Sequence, residues 1–202
     1  MIISRSYFKS IVQIPNAQDT APNSNLIGNA TSLDYYIEEF ERDILVDCFG
    51  YPLYSEFINE LDSSTSNGLK STANQKWDDL LNGKEYDIDG LPVKWRGLIF
   101  KDKLLDRSLI AYYVFCEFLS NNLVSFKGTG AQIEKTKNSI NVTADPLYVA
   151  SFRTFHKLTE FTNCTHGFRS LYDFIQDMNN VSPGTYANWH PKRFENVNIL
   201  GL

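Results

Sequence analysis

KLLDRSLIAYYVFCEFLSNN, residues 103–122, is the stretch on which the fold turns. Leu105, Leu109, Tyr112, Tyr113, Cys116 and Leu119 recur at the spacing of one helical face. Ile110, Ala111, Val114, Phe115 and Phe118 make much of the other side apolar as well. A helix that is apolar nearly all round must be covered on more than one side. A central helix over 103–122 is therefore expected, with the rest of the chain packed around it.

Upstream, Leu33, Tyr36, Ile37, Phe40, Ile44 and Cys48 follow the same 3.6-residue period. Thr31 is expected to cap this helix, with Asp34 three residues on. Gly50 ends it and Pro52 opens the next, which carries Leu53, Tyr54, Phe57, Ile58 and Leu61. A short helix is expected over 73–82, with Trp77, Leu80 and Leu81 on one side. Asn82-Gly83 and Asp89-Gly90 are turn signals. Between and after them, Tyr86, Ile88, Val93 and Trp95 read as small strands or packed loop residues.

Downstream, Val124 and Phe126 alternate, Gly128-Thr129-Gly130 interrupts, and 133–142 is polar with β-branched residues. This suits two strands around a glycine tip, or a long loop. Asp145 and Pro146 start a helix with Leu147, Ala150, Phe152, Phe155, Leu158 and Phe161 on its apolar side. After a break at 163–167, Phe168, Leu171, Tyr172, Ile175 and Met178 mark another. The expected fold class is mainly α: a small bundle of four to five helices with an inserted β-hairpin or long loop and extended terminal arms. The expected organisation is an N-terminal arm (1–30), in which ISRSYF has strand character, a helical domain (31–182) with a hairpin-like insertion at about 123–143, and a docking tail (183–202).

Of 202 residues 43% are hydrophobic, including 14 Phe and 11 Tyr, which supports a folded core and excludes wholesale disorder. The net charge of -5 argues against a protein that coats nucleic acid. Residues 31–66 hold nine acids and one base, Arg42. A block so local is a solvated face, or one side of an electrostatic joint with a basic partner surface. No stretch of about 20 apolar residues is present, so no membrane span is expected. The start MIISRSYFKS lacks the apolar core of a signal peptide and reads as mature protein. Cys48, Cys116 and Cys164 are far apart and read as buried thiols of a reducing compartment.

Site chemistry is sparse. FKGTGAQ (126–132) lacks the Lys-Ser/Thr that follows a phosphate loop and the third glycine of a dinucleotide fold. Cys164 and His166 offer two zinc ligands, which is not a site. No nucleophile motif is present, and the adjacent acids Glu38-Glu39 and Asp78-Asp79 diverge on a helix. No catalytic, cofactor or metal residue is assigned, and no cofactor is expected. In the tail, YANWHPKRF (186–194) interleaves aromatic and basic residues, a pattern that stacks on bases or touches phosphates. The alternative reading is a monomeric helical protein- or DNA-binding domain that uses this segment.

The order of features carries a resemblance. DCFGYPLYSEFINEL (47–61) is followed by WDDLLNG (77–83), GLPVKWRGL (90–98), LLDRSLIAYYVFCEFLSNN (104–122) and VSFKGTG (124–130). Over roughly residues 31–142, and more loosely in the tail ending Asn198-Ile199-Leu200-Gly201-Leu202, the chain resembles the head–tail connector (adaptor, head-completion or neck-ring) proteins of tailed bacteriophages. It is most similar to those of phages and prophages of gut Bacteroidetes. The resemblance implies a non-enzymatic structural subunit, made in the bacterial host cytoplasm and incorporated in the virion. It implies a homo-oligomeric ring, commonly of twelve, that docks beneath the portal and meets other neck or tail proteins. DNA would pass through the channel without sequence-specific binding, and no membrane is involved. Gly50-Tyr51-Pro52-Leu53-Tyr54 would be a core packing turn, and residues 126–130 a contact loop. The interface candidates are Tyr7 and Phe8 in the arm, Glu38, Glu39 and Asp43 in the acidic helix, Phe126, Lys127, Thr129 and Ile133 in the insertion, and Trp189, Arg193 and Phe194 in the tail. The arm, insertion and tail lack helical period yet hold isolated apolar anchors, which a disordered linker would not.

Overall fold

In the computed structural model of the chain the described residues are 1–14, 27–65, 68–102, 105–122, 125–127, 130–132, 145–160 and 167–194, with backbone alone for 27–32, 122, 125–127, 130–132 and 145. Two 3₁₀ turns, Arg5–Tyr7 and Ser10–Val12, lead into α1 (Ile27–Phe49), α2 (Tyr51–Glu60) and α3 (Gln75–Asn82). Strands β1 (Lys84–Ile88), β2 (Leu91–Trp95), β3 (Ile99–Asp102) and β4 (Leu105–Ser108) follow, then α4 (Leu109–Asn122), β5 (Ser125–Lys127) and β6 (Gly130–Gln132). The described order closes with α5 (Asp145–Thr159), β7 (Phe168–Arg169) and α6 (Leu171–Val181).

This is a mixed α/β fold, which corrects the expectation of a mainly helical bundle with one inserted hairpin. Among the described residues the strands form three small sheets, β1-β2-β7, β3-β4 and β5-β6. The central helix starts at Leu109, not near Lys103, because Leu105–Ser108 pair antiparallel with Ile99–Asp102. Leu105 and Leu109 fit a helical stripe, so periodicity alone joined them. The punctuation was in Ser108, whose buried hydroxyl oxygen accepts the Ile110 N–H at 3.1 Å and caps α4. The hairpin β1–β2 turns at Asp89 (φ 50) and Gly90 (φ 79), the paired positive φ angles of a type I′ turn. β7 then joins β2 in parallel, Lys94 opposite Phe168 and Trp95 opposite Arg169.

The expected strand character of ISRSYF, residues 3–8, is also corrected. Residues 1–14 form 3₁₀ turns whose Ile3, Phe8, Val12 and Ile14 are buried in the core. α1 begins at Ile27, ahead of the expected cap Thr31, whose side chain lies outside the described residues. The Gly50 break and the proline in the first turn of α2 are as expected.

α4 lies between α1 and α5, packed on both. Two relays of aromatic rings run through the molecule. One passes Tyr36, Phe40, Tyr113, Phe155 and Phe194, with ring centroids 5.0–6.5 Å apart. The other passes Phe49, Phe57, Trp77, Tyr186, Phe174 and Trp95 at 5.5–6.2 Å. Such contacts add to area burial, by about 0.5–1.5 kcal/mol for a pair. Phe57 and Phe155 are fully buried, whereas Phe40 and Tyr113 are only half-buried, on the rim of the first relay.

Candidate functional site

The acidic helix α1 meets the front segment, residues 1–14, and the tail segment, residues 183–194. Arg5 of the front arm pairs with Asp34, its Nε donating at 2.7 Å. This hydrogen bond holds the Asp34 carboxyl below its usual range. The Glu41 carboxylate accepts the N–H groups of Ile2 and Ile3 at 2.8–3.0 Å. Burial pushes the Glu41 carboxyl up, and those two N–H groups only partly offset it. Asp47 takes Lys192 Nζ at 2.9 Å, and Glu56 lies 3.7 Å from Lys76. What stays outward on α1 is a ridge of Glu38, Glu39 and Asp43, with Tyr35 63% exposed beside it and Arg42 3.2 Å from Asp43.

The tail, residues 183–194, docks on its own core along the end of α1. A helix leaves its last carbonyls without intrahelical partners. Here Lys192 N–H reaches the Asp47 carbonyl at 2.8 Å, Trp189 Nε1 the Cys48 carbonyl at 3.0 Å, and His190 N–H the Phe49 carbonyl at 3.0 Å. Tyr186 is buried, with its hydroxyl donating to the Lys76 carbonyl at 2.7 Å. The crossing requires Gly50. It adopts φ +76, and a Cβ there would sit 2.8 Å from the His190 carbonyl oxygen.

Tail docking assembles a basic ridge. Ser151, Phe155 and Thr159 form the inward line of α5, so Arg153 and Lys157 point the opposite way and are exposed. Phe194 packs on Phe155, and its N–H donates to Glu160. This brings Arg193, 86% exposed, to 3.9 Å from Glu160, with His156 3.8 Å from the same carboxylate oxygen. Arg153 and Lys157 thus lie along the outer side of α5, with Arg193 beside Glu160 at its end and Lys192 paired with Asp47 at the end of α1. Arg153 and Lys157 have no carboxylate partner among the described residues.

The sequence-predicted candidates fall into four groups. Phe8 is buried and Tyr7 half-buried in the docked arm. Glu38, Glu39 and Asp43 form the outward ridge of α1. Phe126 and Lys127 lie on β5, described in backbone only, while Thr129 and Ile133 lie outside the described residues. Trp189 and Phe194 are engaged in the core and Arg193 is outward. With Tyr186, Trp189 and Phe194 so engaged, the tail's contribution to the surface is charge, not free rings for base stacking. Sequence reading missed Arg153 and Lys157. Their signal was the i, i+4 spacing opposite Phe155, but nothing local tied α5 to the tail.

A second surface lies on the outer face of β1-β2-β7. A shallow cleft of about 410 Å³ is lined there by Glu85, Asp87, Pro92, Lys94 and Phe168. The Arg96 guanidinium stacks 3.7 Å from the Phe168 ring centroid. On the inner face Tyr86 donates to Asp177 at 2.8 Å, beside Arg169 at 2.9 Å from the same carboxylate. That network anchors the sheet to α6.

Cys48 and Cys116 are buried free thiols, and burial pushes Cys116 up to about 12, which leaves it inert. Cys164 and His166 lie outside the described residues. Among the described residues no three His, Cys, Asp or Glu side chains are grouped to hold a metal ion. No described helix is long and apolar enough to cross a membrane. No protein family, curated protein or solved structure matches the chain.

Proposed function

We propose that this chain is a non-enzymatic structural subunit of a phage head–tail connector, assembled in a homo-oligomeric ring beneath the portal and extending the DNA channel toward the tail. The observation that supports it best is the hairpin β5–β6, which follows the central helix α4 closely and pairs Lys127 with Gly130 across residues 128–129. It stands where the resemblance sets the contact loop. A core braced by two aromatic relays, with residues 1–14 and 183–194 docked against α1, gives such a loop a rigid base.

The test is composition of the particle. The chain is expected in purified virions in fixed ratio to the portal, and cryo-EM of necks should show it directly below the portal ring. Its absence from particles, measured by quantitative mass spectrometry, overturns the reading.

A further inference from the structure

We propose that the basic ridge of α5 and the tail seats the outward acidic ridge of α1 from a second copy of this chain. The inference rests on the connector reading only for the premise that copies meet; the choice of surfaces comes from charge and geometry. The two ridges are on different helices flanking α4, so one copy offers both halves of the contact. Pairing unlike patches is heterologous and propagates from copy to copy, closing a ring when the rotation allows.

The ridges match in pitch. Arg153 and Lys157 are four residues apart on the outer side of α5, and Glu39 and Asp43 are four apart on α1. Residues at that spacing stand one above the other on a helix. Two helices laid side by side can thus face both charges of one with both of the other. Arg193 and Lys192 widen the basic side, and Glu38 widens the acidic side. Arg42 sits in the acidic ridge but is held by Asp43.

A nucleic-acid backbone is the competing occupant of four cations. One observation disfavours it: the tail's aromatic rings are engaged in the core and do not stand free to stack on bases. An acidic helix needs no stacking platform, and Glu39 and Asp43 repeat the four-residue spacing of Arg153 and Lys157.

The test uses the full chain with two double reversals, Glu38→Lys/Glu39→Lys on one ridge and Arg153→Glu/Lys157→Glu on the other. Sedimentation and native mass spectrometry at about 50 mM salt should show concentration-dependent association of the unaltered chain, fading toward about 500 mM. Each reversed protein alone should associate at least roughly tenfold more weakly. Mixed in equal amounts the two should co-assemble, because each then offers the ridge that the other needs. Circular dichroism and unfolding midpoints check that both variants stay folded. Association that persists in both variants, or a mixture that does not recover, overturns the pairing while leaving the connector reading intact. An unaltered chain that stays monomeric at low salt also overturns the pairing. So does tight binding of a short DNA duplex that Arg153→Glu/Lys157→Glu abolishes. Absence from virions, by contrast, overturns the connector reading whatever these mixtures do.

Discussion

Replacing Gly50 by Ala probes the joint between α1, α2 and the tail. Gly50 sits at φ 76, ψ 151, a conformation that alanine adopts only under strain of about 1–3 kcal/mol. The added Cβ would lie 2.8 Å from the His190 carbonyl oxygen and 3.1 Å from its Cβ. The first of these is backbone, so the tail must move away rather than rotate a side chain. Movement lengthens His190 N–H to the Phe49 carbonyl and Trp189 Nε1 to the Cys48 carbonyl, each worth about 0.5–1.5 kcal/mol net. The expected loss is roughly 2–5 kcal/mol, out of a typical domain stability of about 5–15 kcal/mol. Gly90→Ala is the control. Gly90 also has positive φ (+79), but no atom lies within 4 Å of its Cβ position, so strain acts alone there and about 1 kcal/mol is expected. Urea unfolding followed by circular dichroism reads both. Equal losses in the two variants, or a loss under about 1 kcal/mol for Gly50→Ala, would refute the argument that the tail's path depends on this glycine.

Two further outcomes follow from the core and the acidic helix. Phe155→Ala should cost about 3–5 kcal/mol, since the ring is fully buried at the centre of the first aromatic relay, while Phe40→Ala should cost clearly less because its ring is half-buried; equal losses in urea unfolding would misplace the rim. Burial raises the Glu41 carboxyl above its unfolded value of about 4.3, so the folded state binds that proton more readily. Its contribution to stability therefore grows as pH falls from neutrality through the folded value, and is fully present below the unfolded one. Glu41→Gln should flatten that part of the stability–pH profile; an unchanged slope between about pH 7 and pH 4 would show that Glu41 is not the titrating group.

Much of the local architecture was legible from residues alone, because its causes are local. The stripes of Leu33, Ile37 and Ile44, of Leu109 and Cys116, and of Leu171 and Ile175 face inward as their spacing demands. Gly50 and Pro52 mark a helix junction, and Asp89-Gly90 a hairpin turn, since each needs a backbone geometry those residues favour. The acids of α1 were visible as a block. Their fate was not, because Arg5 and Lys192 reach Asp34 and Asp47 from 29 and 145 residues away in sequence.

The amino-acid order thus dictated helix stripes, caps and turns, whose energies depend on neighbours within a few residues. Tertiary structure alone decided which segments were strands and which charges remained outside. β4 is a strand because β3 lies alongside it, and Phe168–Arg169 because β2 does. Arg193 reaches the end of α5, the helix that carries Arg153 and Lys157, and Lys192 the end of α1, because the tail N–H groups find the open carbonyls at the end of α1 and Phe194 finds Phe155. A strand's hydrogen bonds and a charged surface both belong to pairs of distant segments, and neither has a period that one segment can display.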